Sequence, residues 1–323
     1  MPGPRPKETA LDNFMAFRFK RKESVQKAVQ RIALKRIGCA LRNLGSADKV
    51  EAVHRVRMEI KKLRGLLRLV REASGEAWYT RQIGLLREAA NSLGSVRDAH
   101  VTAKALSDLI SHYRAQLSRR PFNPLKQALQ ARCREAVAGF EKESRSKLVA
   151  KNLRQVQREC QGLRLHAKGW TALCAGLTWS YSRGRRSKAA CLKDPSPENL
   201  HEWRKRVKDL WYQVRLLRPV WPEQMCAMAS ELKTLSDLLG DDHDLVILRG
   251  VLEQIHPAPD ELEAVCALIN QRQEELRSAG LALGARFYSE KTAAFINRLG
   301  RYWSVWRSPK GNLKRKARAS LAA

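Results

Sequence analysis

Residues 53–71, VHRVRMEIKKLRGLLRLVR, lie over residues 200–218, LHEWRKRVKDLWYQVRLLR, without a gap. His54 falls on His201, Arg57 on Arg204, Lys61 on Lys208, Leu63 on Leu210, Arg68 on Arg215 and Arg71 on Arg218. About forty residues later, LGSVRD (93–98) lies over LGDDHD (239–244), and Arg87 over Lys233. The repeat from 53 to 200 is far too long for a solenoid, so it predicts two similar halves around a pseudo-twofold axis.

Each long segment carries two rows. Val53, Val56, Ile60, Leu63, Leu67 and Val70 follow a 3-4-3-4-3 spacing, the mark of a buried helical seam. One residue on, His54, Arg57, Lys61, Arg64, Arg68 and Arg71 keep the same spacing. In the second half the apolar row is Leu200, Trp203, Val207, Leu210, Val214 and Leu217. Its companion row is His201, Arg204, Lys208, Trp211, Arg215 and Arg218. A one-residue shift turns about 100° around a helix, so each cation row borders the core instead of opposing it. Like charges at these spacings cost roughly 0.2–0.5 kcal/mol per pair. A solvated flank whose long stems cover the core edge is one account. A basic groove or pore, in which phosphate oxygens accept charge-assisted bonds, also accounts for the self-repulsion and its repetition.

The remaining chain has helical period and lacks Val/Ile/Thr-rich strand runs, so the fold class is all-α, with two pseudo-symmetric four-helix bundles around a basic central groove or pore. Helices are expected over 24–44, 51–72 and 76–93, then, after an interruption at Gly94, to about 117, and over 125–141 and 144–162. A break is expected at Arg119-Arg120-Pro121. The same order of events recurs from Trp170, with a further break at Gly240. The expected organisation is an N-terminal arm (1–20), a domain over 21–306 in repeats 21–165 and 166–306, and a basic tail (307–323).

The 62 Lys and Arg against 32 Asp and Glu give a formal charge of +30, which destabilises a compact chain unless an anionic partner relieves it. Nucleic acid, anionic membrane, acidic protein and polyphosphate all qualify at this level. No apolar run approaches a membrane span, and the polar start MPGPRPKETALDNF has no signal-peptide core. Seven cysteines without a C-x-x-C pair fit reduced thiols. A cytoplasmic protein is expected, with no membrane partner.

His54 and His201 sit where a histidine can donate to phosphate in either protonation state. Neither helix offers His-x-x-x-His, so no metal site and no cofactor are expected. Gly94 and Gly240 suit a left-handed helix end, and Ser95 with Asp98, or Asp241 with Asp244, suit the N-cap pair of the next helix. Three acids at such a start complement the macrodipole. Arg87 and Arg97 remain free to face the groove. Arg183, in the cation-dense stretch Tyr181–Lys188, falls over Arg36 and is a further candidate for anion contact.

The pattern V-H-x-x-R-x-x-x-K-K-L-R at Val53–Arg64, L-G-x-x-R-D at Leu93–Asp98 and L-H-E-W-R-K-R-V-K-D-L-W-Y at Leu200–Tyr212 resembles the CHAD family, the conserved histidine α-helical domain. The resemblance spans roughly residues 21–306. It implies helical bundles around a basic pore that binds inorganic polyphosphate, and association with polyphosphate granules. The family's basic positions correspond here to His54, Arg57, Lys61, Lys62, Arg64 and Arg87, then His201, Arg204, Lys205, Lys208 and Lys233. The cation rows add Arg68 and Arg215. Met58 departs from the pattern where a second basic residue often follows Arg57, and His243 replaces Arg in the second LG motif, which weakens the case for phosphate contact there. Some relatives carry a fused triphosphate-cleaving CYTH domain with an E-x-E-x-K strand. Glu141-Lys142-Glu143-Ser144-Arg145 lacks the Lys and sits in helical sequence, so that activity is not expected.

Polyphosphate binding without catalysis is therefore the leading expectation. Sequence-independent RNA or DNA binding is the alternative, with weak nucleic-acid binding a secondary property of the same charge. Single-strand readers interleave aromatics with cations, whereas only Trp211 interrupts these rows. An enzyme acting through His54 or His201 lacks paired carboxylates, a phosphate-cradling loop and a metal triad. Oligomeric state is left open.

Overall fold

The structure, a computed structural model, describes residues 17–115, 117 and 122–308. Among these there is no strand, and the all-α expectation holds. The helices are α1 (Val25–Leu44), α2 (Lys49–Leu69), α3 (Arg71–Ser74), α4 (Glu76–Asn91), α5 (Gly94–His112), α6 (Asn123–Lys142) and α7 (Arg145–Gln161). They continue as α8 (Thr171–Lys193), α9 (Pro197–Leu216), α10 (Pro222–Ile255), α11 (Pro259–Phe287) and α12 (Thr292–Arg307). No helix of the described residues is long and apolar enough to cross a membrane.

Local chemistry sets the starts of the two row-bearing helices. Asp48 caps α2, its side chain accepting from the Glu51 amide at 3.0 Å. Pro197 opens α9 after the extended Ser196, where its missing N–H costs nothing. Both apolar seams are buried as their spacing predicts: Val53, Val56, Ile60, Leu63 and Leu67 on α2 with Val70 at its C-cap, and Leu200, Trp203, Val207, Leu210 and Val214 on α9 with Leu217 at its C-cap.

These seams belong to one core that runs through both halves of the chain, drawing on α1, α2, α4 and α7 with α8, α9, α12 and the first part of α10. A second core, separate from it, joins α5 and α6 to the distal part of α10 and to α11 through Leu106, Leu109, Leu129, Leu248, Leu252 and Ile269. At the centre α2 crosses α9. A Cβ at Gly65 would stand 2.7 Å from Tyr212 Cβ, so this glycine sets how closely the two helices approach.

Three expectations are corrected. Gly240 ends no helix: it lies inside the unbroken 34-residue α10, and Asp241, Asp242 and Asp244 are mid-helix residues. Gly94 is the first residue of α5, which has no side-chain cap, and neither glycine has positive φ; Gly75 and Gly169 do. Leu239 and Leu245 hold α10 across the motif by entering the first and second cores respectively, so burial on both sides outweighs the cost of an internal glycine. Finally, residues 17–20, drawn as part of the arm, are held against the domain. Phe17 and Phe19 are buried, and the Phe19 amide donates to the Leu216 carbonyl at 3.1 Å.

Smaller differences lie at element ends. α5 stops at His112 instead of near 117. Residues 1–16 and 309–323, hence most of the arm and tail, and the break at Arg119-Arg120-Pro121 lie outside the described residues.

Candidate polyanion cleft

Where α2 and α9 face each other beside α5 and α10, the chain forms a cleft of about 250 Å³. α2 lends Arg57, Lys61, Arg64 and Arg68; α9 lends His201, Arg204, Lys205, Arg206, Lys208, Asp209 and Tyr212; Arg97 comes from α5 and His243 from α10. Nine Lys and Arg side chains thus share one cleft with a single acid. That acid is already engaged, since Asp209 pairs with Arg68 and lies 3.3 Å from Arg206.

The cations toward the middle have no such relief. Neither Lys61 nor Lys208 has an ion pair among the described residues. Burial, reinforced by Lys208, Arg204 and Arg57, holds the Lys61 ammonium well below the ordinary lysine range. Burial and then Arg204 bring Lys208 down to about 7. Arg57, Arg64 and Arg204 are lowered for the same first reason, loss of solvent. Arg57 spends one N–H on the Ala90 carbonyl, while its Nε and that of Arg204 are buried without a hydrogen-bond partner. Unsatisfied donors of this kind carry a desolvation cost that an incoming oxygen acceptor would remove.

Gly240 has its role here. A Cβ on it would lie 3.3 Å from the Arg204 Nη2, so the bare backbone gives the guanidinium room against α10. At the same end, the rings of His201 and His243 stack 4.1 Å apart at a 33° tilt. Burial drives both toward the neutral form, His201 to about 4 and His243 to about 3, with neighbouring cations adding to the effect. Arg97 is steered into place by Asp98 at 2.8 Å and by Asp244 at 3.0 Å. At the other end Arg68, Arg183 and Arg206 surround the indole of Trp179, at 5.4, 5.5 and 4.8 Å from its centre.

Of the residues singled out in the sequence, Arg57, Lys61, Arg64, Arg68, Arg97, His201, Arg204, Lys205 and Lys208 converge on the cleft. His54 is exposed outside its lining, and Arg87 and Arg183 lie on exposed helix faces. Lys62 is buried in an ion pair with Glu59, which also receives Arg36 at 3.3 Å. Arg215 and Lys233 line a different pocket. Sequence reasoning missed Arg206, Asp209 and Tyr212 as lining residues and argued against His243. The i,i+3 spacing of Arg206 and Asp209 was the available signal for the first two. Nothing local marks His243, because only the unbroken α10 brings it to His201.

No group of three or more His, Cys, Asp or Glu among the described residues could hold a metal ion. The donor set instead suits a ligand made of anionic oxygens.

A family model described as CHAD domain matches residues 26–253. The crystal structure of the CHAD domain from the plant Ricinus communis is similar in fold, with a TM-score of 0.61 at 17% identity, covering 85% of this chain and 95% of that one. No curated protein matches. With the family match spanning more than half of its length and the fold in agreement, the chain belongs to the CHAD domain family.

Proposed function

We propose that the cleft between α2 and α9 binds inorganic polyphosphate and performs no chemistry on it. The observation that carries this is the meeting of Arg57, Lys61, Arg64 and Arg68 from one row with Arg204 and Lys208 from the other, in a cleft of nine Lys and Arg against one committed acid. A linear polyanion with about one charge per phosphate unit neutralises several of these cations at once. Each charge-assisted bond it makes is worth about 1.5–3 kcal/mol. Beside His201 and His243, whose rings stack on each other, the lining has one aromatic residue, Tyr212, which is largely buried, so bases would find little to stack on. The resemblance to CHAD sequences supports polyphosphate over other polyanions, and with it placement at polyphosphate granules in the cytoplasm. The alignment of 53–71 with 200–218 further supports an internally duplicated receptor, each half supplying one row.

Competition between long-chain polyphosphate and random RNA at physiological salt tests the ligand. Polyphosphate should displace RNA, and affinity should fall steeply with salt through counterion release. RNA that displaces polyphosphate easily, without the reverse, overturns the proposal. The double variants Arg57→Gln with Lys61→Gln, and Arg204→Gln with Lys208→Gln, should each lose roughly tenfold or more per contact removed while circular dichroism stays helical. Phosphate release during incubation, with or without divalent metal, should stay at the level of buffer alone.

A further inference from the structure

Trp211 breaks the second cation row, and the break has a spatial meaning. The residues before it, His201 to Lys208, face the central cleft; Arg215 and Arg218, after it, face a second pocket of about 360 Å³. This pocket lies between the end of α9 and the start of α10, with Phe17 and Arg18 on its rim. Its walls are mainly apolar, from Phe17, Trp211, Met225 and Ala229, whereas the central cleft is lined almost wholly by charge.

Arg215 is the distinctive group. Its guanidinium lies 4.7 Å from the centre of the Trp211 ring, 5.7 Å from Phe17 and 5.9 Å from Tyr212. No acid forms an ion pair with it among the described residues. Lys233 stands on the opposite wall, exposed and held by Asp237 one turn along α10. A desolvated guanidinium attracts an anion, but the apolar walls would gain nothing from a bare phosphate chain. A ligand using both features carries a flat apolar ring and a phosphate. An indole face is a general platform for such a ring, and the volume falls within the range of small-molecule sites.

We propose that this pocket binds a nucleoside phosphate, with its base against Trp211 and Met225 and its phosphates on Arg215 and Lys233. The site is separate from the central cleft: Lys208 lies about two turns before Arg215 on α9, and Lys61 stands on α2.

Calorimetric titration of the full chain with ADP, adenosine and inorganic pyrophosphate tests it. In the Arg57→Gln, Lys61→Gln double variant, where the central cleft is weakened, ADP should bind more tightly than either fragment. Arg215→Gln and Trp211→Leu should each weaken ADP roughly tenfold or more. Lys233→Gln, at an exposed position that cannot disturb the core, should weaken ADP and leave adenosine unchanged. The Arg57→Gln, Lys61→Gln double variant should leave ADP affinity as it was. No ADP binding at millimolar concentration overturns the proposal. So does pyrophosphate binding as tightly as ADP in the Arg57→Gln, Lys61→Gln double variant, or loss of ADP binding in that variant, which would place ADP in the central cleft.

Discussion

At the scale of single residues, the cleft holds charge that its surroundings disfavour. Lys208, brought down to about 7 by burial and by Arg204, is partly neutral near physiological pH, and a bound polyanion would restore its proton. Polyphosphate binding should therefore take up protons. Above pH 7 affinity should decline more steeply than solvent-exposed lysines would allow. Titrations in two buffers of different ionisation enthalpy measure the uptake, and Lys208→Met should reduce it. The free protein has the complementary dependence. A depressed folded pKa means the unfolded chain binds more protons between about 7 and the ordinary lysine value, so stability from this residue rises with pH across that window and is lost as pH falls through 7. His201 and His243 follow the same sign lower down. Their stability contribution is full above their ordinary 6.5 and is lost as pH falls toward about 4 and about 3. Urea midpoints should drop between pH 6.5 and 4, and His243→Asn should soften that drop.

At the scale of elements, two helical glycines make opposite predictions. Gly65 faces Tyr212 Cβ at a distance no real Cβ tolerates, so Gly65→Ala forces α2 from α9. It should cost about 1–3 kcal/mol in chemical denaturation. Gly240 faces only the flexible end of Arg204, and it lies in a helix interior where alanine is favoured by about 1 kcal/mol. Gly240→Ala should thus leave stability unchanged or slightly higher and still weaken polyphosphate, because Arg204 is displaced. Stability and affinity moving apart in one variant is the outcome to look for. These glycines also show what was legible beforehand. The seam of α2 and α9 was readable because 3-4 spacing follows directly from helical geometry, and all twelve of its residues are buried. Gly240 was misread because a helix-ending glycine and one that admits a neighbouring side chain look alike without knowledge of what packs beside them. The cation row was readable as a row, but its division at Trp211 between two pockets depends on where α10 lies. Lys62 illustrates the same limit: next to Lys61 in sequence, it turns about 100° away into the buried pair with Glu59.

At the scale of the whole molecule, the +30 charge sets stability and binding against one another. Screening of self-repulsion should raise the melting temperature of the free protein as salt goes from low to physiological, over the range in which polyphosphate affinity falls. Thermal melts and binding isotherms in the same KCl series measure both trends. A free protein destabilised by salt would mean that the ion pairs at Asp209, Asp244 and Glu59 outweigh the repulsion.

The two ends of the described chain are also clasped together. Arg307 donates to the Lys20, Arg21 and Glu23 carbonyls, and Arg21 donates back to the Ser308 carbonyl. An attachment made at residue 17 or at residue 308 would therefore start from the same spot on the domain, and the orientation it imposes would not depend on which of the two carries it. The same adjacency suits the chain to circular permutation, with new ends opened in the exposed turn at Gly45–Ala47 between α1 and α2.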